Sequence, residues 1–314
     1  TEIMADNGVP ESCFGNLPKL VEDLDDYLEA YQAYAEFSGL KVNIYKDWAR
    51  IIFEDHVVSH FTSKFPSDEI IRVLAVGSGD GKVDSCMLEQ LVARYPRIHY
   101  TVVEPAKEPL EEFKALINDN RPKFDGVEFE WRNETFDDFQ KLEEEKERSR
   151  GVDKERFHLI HAVHSLYYVN DLQQAQSYLR DRLVKHGALL VILLSEEAGI
   201  YRVWDRYPKL CEGSPATNLC SAHLREIYAR SDTPYKFHHQ SWPSDISQCF
   251  DPASIKGGRM LDFITHVRNF RQSAPEELKK SVVAFLRGLN QSDREDKMST
   301  GGYQRDWDSM VLIK

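Results

Sequence analysis

A buried strand that ends in a glycine-rich turn is the feature that most constrains this chain. Residues 73–76 read Val-Leu-Ala-Val, and the turn Gly77-Ser78-Gly79-Asp80-Gly81 follows at once. Behind the turn, residues 83–94 carry apolar side chains at helical spacing. Glycine lets a ligand approach the backbone because no Cβ stands in the way, and a helix start offers free N–H groups. Strand, turn and helix together predict the opening of a nucleotide-binding type of α/β fold.

The spacing of the glycines indicates which class of cofactor the turn binds. A dinucleotide-binding turn has the pattern G-x-G-x-x-G, whereas here the third glycine comes one residue early, at Gly81, and Lys82 follows. This spacing argues against a nicotinamide dehydrogenase and resembles the first motif of class I methyltransferases, which use S-adenosylmethionine (SAM). The next strand ends in Glu104, and an acid about 20 residues beyond such a turn is placed to accept hydrogen bonds from ribose hydroxyls. With Glu104 in place, a tight connection without a ligand is the less favoured interpretation.

Composition and charge narrow the class of protein. The chain has 314 residues, 41% of them hydrophobic, and a formal net charge of −12, which disfavours nucleic acid and anionic membranes as partners. The sequence has no apolar run of about 18 residues and no signal peptide at its start. The five cysteines do not suggest a disulfide framework, and no Cys/His cluster has zinc spacing. We therefore expect a cytoplasmic protein without a metal.

Strand and helix patterns alternate along the middle of the chain and predict a Rossmann-like, doubly wound, mostly parallel sheet of seven strands. The predicted strands after the first are residues 99–103, 127–131, 157–163, 187–194, 235–241 and 306–313, and the predicted helices are 83–94, 108–118, 172–184, 260–270 and 275–289. Residues 141–155 predict a solvated helix end and loop, and residues 290–302 a loop.

The domain organisation follows from the same patterns. We expect a flexible N-terminus at 1–18, N-terminal helices on the substrate side at 19–64 that act as a lid, a SAM-binding core at 65–196, smaller substrate-binding additions including strand six at 197–305, and a closing strand of the core sheet at 306–314.

Short colinear segments resemble one family within the class I methyltransferases. Residues 164–171, His-Ser-Leu-Tyr-Tyr-Val-Asn-Asp, follow strand four and resemble the active-site strip of histamine N-methyltransferase. Residues 245–250, Asp-Ile-Ser-Gln-Cys-Phe, resemble a second specific strip. Weaker matches in the same order are residues 74–81, 102–105, 133–135, 204–207, 218–220 and 262–265, so the resemblance covers about residues 25 to 314.

The resemblance implies a monomeric enzyme with a class I core and a smaller substrate domain that methylates a nitrogen of a small amine or imidazole with SAM. The residues that it implies for the cofactor are Gly77, Ser78, Gly79, Glu104, Pro105, Thr135, Phe136, Val163 and His164. Those that it implies for the substrate are Lys46, His164, Tyr167, Tyr168, Trp204, Cys220, Phe263 and Asp306.

Several matched positions depart from the family. Lys46 stands where the family has a substrate-binding glutamate, His164 where it has glutamine, and Asp306 where it has asparagine, while Pro109 replaces a SAM-contacting glutamine. A lysine binds a carboxylate and an aspartate binds a protonated amine or imidazole N–H. If both point inward, the substrate carries both charges. Histidine and carnosine do so and histamine does not.

His164, Tyr167 and Tyr168 are the predicted catalytic residues. Methyl transfer from a sulfonium is an in-line displacement in which orientation supplies much of the rate. A nitrogen nucleophile must be unprotonated, so we expect His164 to accept its proton or a hydrogen bond. The tyrosines would form an aromatic wall against a cation. The competing interpretations are a Lys46 that pairs with Asp47 or Glu54 in solvent, and a Trp204 that only packs in the core.

Other functions compete with this one. A catechol-type O-methyltransferase would want clustered acids for a divalent metal, and no such cluster stands out in the sequence. The alternatives that stay open are a methyltransferase of another biogenic amine or alkaloid, a protein or peptide methyltransferase, and a non-catalytic SAM-binding relative.

Overall fold

A seven-stranded sheet organises the chain. The computed structural model describes residues 4–36, 41–151, 153–213, 219–292 and 303–314. The strand order is β3-β2-β1-β4-β5-β7-β6, and the predicted sheet of seven mostly parallel strands is confirmed. The strands are β1 (Ile71–Val76), β2 (Ile98–Val103), β3 (Val127–Arg132), β4 (Phe157–Val163), β5 (Leu183–Leu194), β6 (Lys236–Ser244) and β7 (Tyr303–Ile313).

Parallel pairing places one end of several strands on a common edge. β1 pairs in parallel with β2 and with β4, β2 with β3, and β4 with β5. β7 runs the other way along β5, because His186 N–H donates to Lys314 O at 2.8 Å while Ser195 N–H donates to Asp306 O at 3.1 Å. The residues that follow β1, β2, β3 and β4 therefore emerge at the same edge of the sheet.

Helices occupy the connections between the strands. They are α1 (Leu24–Glu36), α2 (Lys41–Trp48), α3 (Ser59–Lys64), α4 (Lys82–Val92), α5 (Lys107–Asp119), α6 (Phe136–Arg150), α7 (Leu172–Asp181), α8 (Gly199–Arg206), α9 (Ser221–Arg230), α10 (Ile255–Thr265), α11 (Phe270–Ser273) and α12 (Glu276–Ser292). A π-helical stretch, Ala49–Val58, links α2 to α3. No helix in the described ranges has the length and apolar character needed to cross a bilayer.

The chain divides into two compact units. One, the core unit, comprises residues 40–193, 223–238 and 308–314, and the other, the second unit, comprises residues 1–39, 194–222 and 239–307. The core unit buries apolar side chains of β1, β4, α4 and α5. The second unit has its own hydrophobic core, to which α8, α10 and α12 contribute.

These units differ from the predicted domain boundaries. The predicted lid helices, 19–64, are split at residue 39, and α2 belongs to the core unit, where the Trp48 indole N–H donates to Ser309 Oγ at 3.3 Å. Residues 223–238 also belong to the core unit rather than to the substrate-binding additions, because Tyr228 of α9 donates to Gln176 of α7 at 2.7 Å. The lid function itself stays a prediction.

Several predicted elements have different bounds in the structure. The solvated segment 141–155 is mostly helical, because α6 runs unbroken from its cap at Thr135 to a left-handed Gly151. The predicted helix 260–270 ends early, where His266 and Asn269 adopt φ of 56° and 51°. The predicted helix 172–184 stops at Asp181, before β5 begins.

The two ends of the chain differ as well. Residues 11–14 form a 3-10 turn in which Cys13 and Phe14 are buried, where the sequence predicts a flexible segment. The predicted loop 290–302 begins inside α12, and residues 293–302 of it lie outside the described residues.

Candidate functional site

The glycine turn after β1 is shaped by three left-handed residues. Gly77, Gly79 and Gly81 have φ of 68°, 56° and 72°, a region that a side chain disfavours. A Cβ on Gly77 would lie 2.3 Å from Ser165 Cβ, and one on Gly81 would lie 1.9 Å from Phe113 Cδ2. A Cβ on Gly79 would meet no atom within 4 Å. Gly77 and Gly81 are therefore required by packing, whereas Gly79 leaves the backbone open to a ligand.

Glu104 is held directly beside this turn. Its Oε2 accepts the N–H of Gly79 at 2.8 Å, and its Oε1 accepts the N–H of Ala106 at 2.8 Å. Asn133 fixes the same loop, because its Nδ2 donates to the carbonyls of Glu104 at 3.0 Å and Pro105 at 2.9 Å. Each carboxylate oxygen keeps a further lone pair. The two carboxylate oxygens can therefore each accept a hydrogen bond from one of two adjacent hydroxyls, such as those of a ribose.

The other predicted cofactor residues lie at the same edge of the sheet. Thr135 follows β3 and caps α6, where its Oγ1 accepts the N–H of Asp138 at 3.1 Å. The adjacent Phe136 is buried and packs edge-on against Tyr178, with ring centroids 5.8 Å apart. Val163 is the last residue of β4. Their positions fit a binding edge, and their contacts with the cofactor remain a prediction.

His164 lies between two tyrosines of the core unit. Its Nε2 is 2.8 Å from the hydroxyl of Tyr45, and its Nδ1 is 3.1 Å from the hydroxyl of Tyr167. A neutral imidazole has one donor and one acceptor nitrogen, so one phenol donates to the ring while the other accepts from it. Both tyrosines are buried, whereas Tyr168 is 58% exposed. The structure thus brings His164 and Tyr167 together and adds Tyr45.

Sequence reasoning missed Tyr45 as a site residue. The only local signal is its place beside Lys46, one residue from a position that the resemblance assigns to the substrate. The hydrogen bond joins residues 119 positions apart in the chain. A pairing over that distance depends on how α2 packs, which periodicity does not give.

A buried polar network lies under the glycine turn. Asp84 Oδ1 accepts the hydroxyl of Ser78 at 2.8 Å and that of Tyr100 at 3.0 Å. The Tyr100 hydroxyl is also 2.8 Å from His161 Nε2. Burial raises the pKa of Asp84 to about 7 and lowers the pKa of His161 to about 3. Sequence reasoning missed this network, although an acid in the first turn of a helix whose flanks are apolar was a visible signal.

The residues around the turn fit SAM. The open backbone at Gly79 admits a ligand, and the Glu104 carboxylate matches a ribose diol. In the described parts of the chain, no group of three or more His, Cys, Asp or Glu side chains is arranged to hold a metal ion.

Four of the predicted substrate residues belong to the second unit, where they are buried. Trp204 packs in its core, with the indole N–H donating to Ile264 O at 2.9 Å. Phe263 packs against Tyr34 with ring centroids 4.8 Å apart, and Tyr27 and Tyr31 lie against the same ring. The other two of the four residues are Cys220 and Asp306. The substrate roles of all four remain predictions.

Lys46 is exposed on α2 of the core unit. The two acids that the sequence offers as its partners pair elsewhere. Asp47 lies 3.2 Å from Arg50, and Glu54 lies 3.2 Å from Arg94. Lys46 is thus solvent-exposed, as the competing interpretation expects, but no ion pair to Asp47 or Glu54 forms, and its substrate role remains a prediction.

The chain resembles characterised methyltransferases over most of its length. A search against models of protein families returns no match. Histamine N-methyltransferase of Danio rerio is 31% identical over 271 residues, which cover 85% of this chain and 89% of that protein. Histamine N-methyltransferase A of Xenopus laevis is 26% identical, over 89% of this chain and 93% of its own length. Carnosine N-methyltransferase 2 of Gallus gallus is 28% identical, over 87% of this chain and 82% of its own length.

Identity of this degree over most of both proteins, together with the strand order and the glycine turn, establishes the family. The chain belongs to the histamine N-methyltransferase family of SAM-dependent class I methyltransferases.

Proposed function

We propose that this enzyme transfers a methyl group from SAM to a nitrogen of a small amine or imidazole compound. The observation that carries the proposal is the position of His164 directly beside the cofactor turn. Its neighbour Ser165 packs against Gly77, and the Ser165 hydroxyl donates to Val76 O at 2.6 Å. The relatives named for histamine and carnosine support a nitrogen acceptor of this class.

The chain's own residues have defined tasks in this reaction. SAM supplies an electrophilic methyl group on a sulfonium. Glu104 and the glycine turn orient the nucleoside, which sets the direction of attack. Tyr45 and Tyr167 hold both ring nitrogens of His164, so the substrate nitrogen gives its hydrogen bond or proton to one of these phenol oxygens, and that phenol passes its own proton to His164. Tyr168, which is exposed, lines the approach of a cationic substrate.

We further propose that the substrate is an imidazole that carries a carboxylate, such as histidine or carnosine. Lys46 replaces an acid of the family, and no ion pair to it occurs within the described residues. Its ammonium is therefore available to a carboxylate. A carnosine methyltransferase among the relatives supports a zwitterionic substrate.

A methyl-transfer assay tests the proposal. Purified protein is incubated with SAM and with histamine, histidine or carnosine, and S-adenosylhomocysteine (SAH) is quantified together with the methylated product. Transfer to histidine or carnosine in preference to histamine is the expected result. Transfer to histamine alone would overturn the substrate assignment, and cofactor binding without transfer to any amine would indicate a non-catalytic relative.

A pair of glutamate variants controls the assay. Glu104→Gln removes one acceptor from the carboxylate that the turn holds, so we expect weaker SAM binding. Glu108→Gln changes an exposed acid four residues later, on α5, and should leave binding unchanged. Equal affinity in both variants would contradict the role of Glu104.

We also propose that the protein works as a monomer in the cytoplasm. All five cysteines are buried and none forms a disulfide, which suits a reducing compartment. Sedimentation at micromolar concentration tests the oligomeric state, and a concentration-independent mass of one chain is expected.

A further inference from the structure

Asp84 is an acid that the proposed mechanism does not use. It is the third residue of α4 and is 1% exposed. Ser78 of the glycine turn and Tyr100 of β2 each donate a hydroxyl to its Oδ1, at 2.8 Å and 3.0 Å. Ser78 therefore ties the acid to the turn that faces the cofactor.

No lysine or arginine of the described residues forms an ion pair with Asp84. His161 Nε2 of β4 lies 3.6 Å from the carboxyl, but burial keeps this imidazole neutral, with its pKa lowered to about 3. Asp80 of the turn adds a like charge and is itself paired with Lys82 at 2.7 Å. Lys46 of α2 influences the pKa of the Cys86 thiol, which lies two residues after Asp84 on α4.

A buried carboxyl in such surroundings lacks half of an ion pair. A buried charge without a counter-charge is costly, so the group stays protonated unless a cation arrives. Burial accordingly raises the pKa of Asp84 to about 7. The ligand expected at the adjoining turn is itself a cation, since SAM carries a sulfonium and its demethylated product does not.

We propose that the Asp84 carboxylate is the counter-charge for the cofactor and makes the site prefer SAM over SAH. This inference rests on the proposed use of SAM. Asp84 acts through Ser78 and the turn, as a positioning residue that does not touch the reacting atoms.

Methyl transfer itself removes the electrostatic attraction between the Asp84 carboxylate and the cofactor. The substrate nitrogen forms the new N–C bond with its lone pair, the C–S bond breaks, and its electron pair stays on sulfur. The positive charge thus moves from the cofactor to the methylated nitrogen. Asp84 then holds a neutral thioether less tightly than it held the sulfonium, which favours release of the product.

Calorimetric titration with SAM and with SAH tests the proposal. The ratio of the two dissociation constants is measured for wild type, Asp84→Asn and Asp119→Asn. We expect Asp84→Asn to lower the preference for SAM about tenfold, mainly by weakening SAM. Asp119→Asn removes an exposed acid at the end of α5, outside the glycine turn, and should change the ratio little. An unchanged ratio in a folded Asp84→Asn variant would overturn the proposal.

The pH dependence supplies a readout that a purely structural role would not move. The wild-type preference for SAM should grow between about pH 5.5 and about pH 8.5 as Asp84 ionises, and should be flat in Asp84→Asn. Tyr100→Phe keeps the acid but removes one donor, so it should move the rise to higher pH even if Asp84→Asn fails to fold. A wild-type ratio that is flat over this range would contradict the inference. Failure of both ligands to bind wild type would instead contradict the proposed cofactor.

Discussion

His164 has a backbone conformation that few residues with a side chain adopt. Its φ is 52°, in the left-handed region. Such a conformation persists where surrounding contacts determine it. Here the N–H donates to Ile192 O at 2.9 Å while Tyr45 and Tyr167 hold the ring. The strain at the end of β4 thus coincides with the predicted catalytic residue.

Replacing His164 tests its role as a proton acceptor. His164→Gln keeps one donor and one acceptor but removes a base, so kcat should fall about a hundredfold while SAM binding is retained. His99→Gln is the matched control, because His99 is an exposed histidine beside Glu128. A variant with wild-type kcat would show that the position needs only a hydrogen bond, as the glutamine of the family suggests.

A comparison of two glycines with the same backbone conformation distinguishes the cost of backbone strain from the cost of a steric clash. Gly81 and Gly151 have φ of 72° and 61°, but only a Cβ at Gly81 would enter the Phe113 ring. Gly151→Ala should cost about 1 kcal/mol of unfolding free energy. Gly81→Ala should cost about 3 kcal/mol, because overpacking adds to the strain. Denaturant titration measures both, and equal losses would contradict this division.

At the scale of the element, helix starts are set by local side chains. Thr135, Asp171 and Ser254 each accept a backbone N–H in the first turn of α6, α7 and α10. Such caps satisfy donors that the helix cannot pair internally. Apolar periodicity nevertheless did not predict the starts of α6 and α10, because the residues that cap them, Thr135 and Ser254, are polar.

Asp171 offers a test of this local control. Its Oδ1 accepts the Gln174 N–H at 2.9 Å. Asp171→Ala should lower the free energy of unfolding by about 1 kcal/mol, whereas Asp171→Asn should retain most of it, since both acids and amides cap well. Thermal unfolding compares the two variants. Equal loss in both would mean that the charge, and not the cap, is what matters.

For the whole molecule, buried ionisable groups set the dependence of stability on pH. Burial lowers the pKa of His158 and His266 to about 4 and that of His161 to about 3, and it raises those of Asp84 and Asp262 to about 7 and about 6. The contribution of the three histidines to the free energy of unfolding is fully present above pH 6.5. It is lost as the pH falls from 6.5 through their lowered pKa values. The aspartate contribution is present below pH 3.8 and is lost as the pH rises through the raised pKa values.

These opposing contributions predict an acid-sensitive fold. Near pH 5, three histidines are protonated in the unfolded chain but stay neutral in the folded protein. Two aspartates behave in the opposite way, because they are protonated in the folded protein and ionise on unfolding. These groups alone leave about one extra proton on the unfolded state, so stability should fall as the pH is lowered from 6 to about 4.5. Asp84→Asn removes one opposing proton and should steepen the fall by about 1.4 kcal/mol per pH unit. Urea titrations across this range measure the slope, and an unchanged slope would show that Asp84 is ionised in the folded protein.

The sequence by itself determined the sheet and the cofactor class. Buried apolar strands, the G-x-G-x-G turn and the acid at Glu104 are local signals, because strand burial and turn conformation depend on neighbouring residues. The structure confirms the mostly parallel sheet of seven strands and shows Glu104 bound to the backbone of Gly79.

Only the tertiary structure decided which distant side chains meet. The pairing of Tyr45 with His164 and the network of Asp84 with Tyr100 and His161 join separate elements. The division of the N-terminal helices between two units is likewise visible only in the structure. These contacts depend on the packing of whole helices and strands against one another, and a pattern of 3.6 or 2 residues shows which face of an element is buried but not what lies against it.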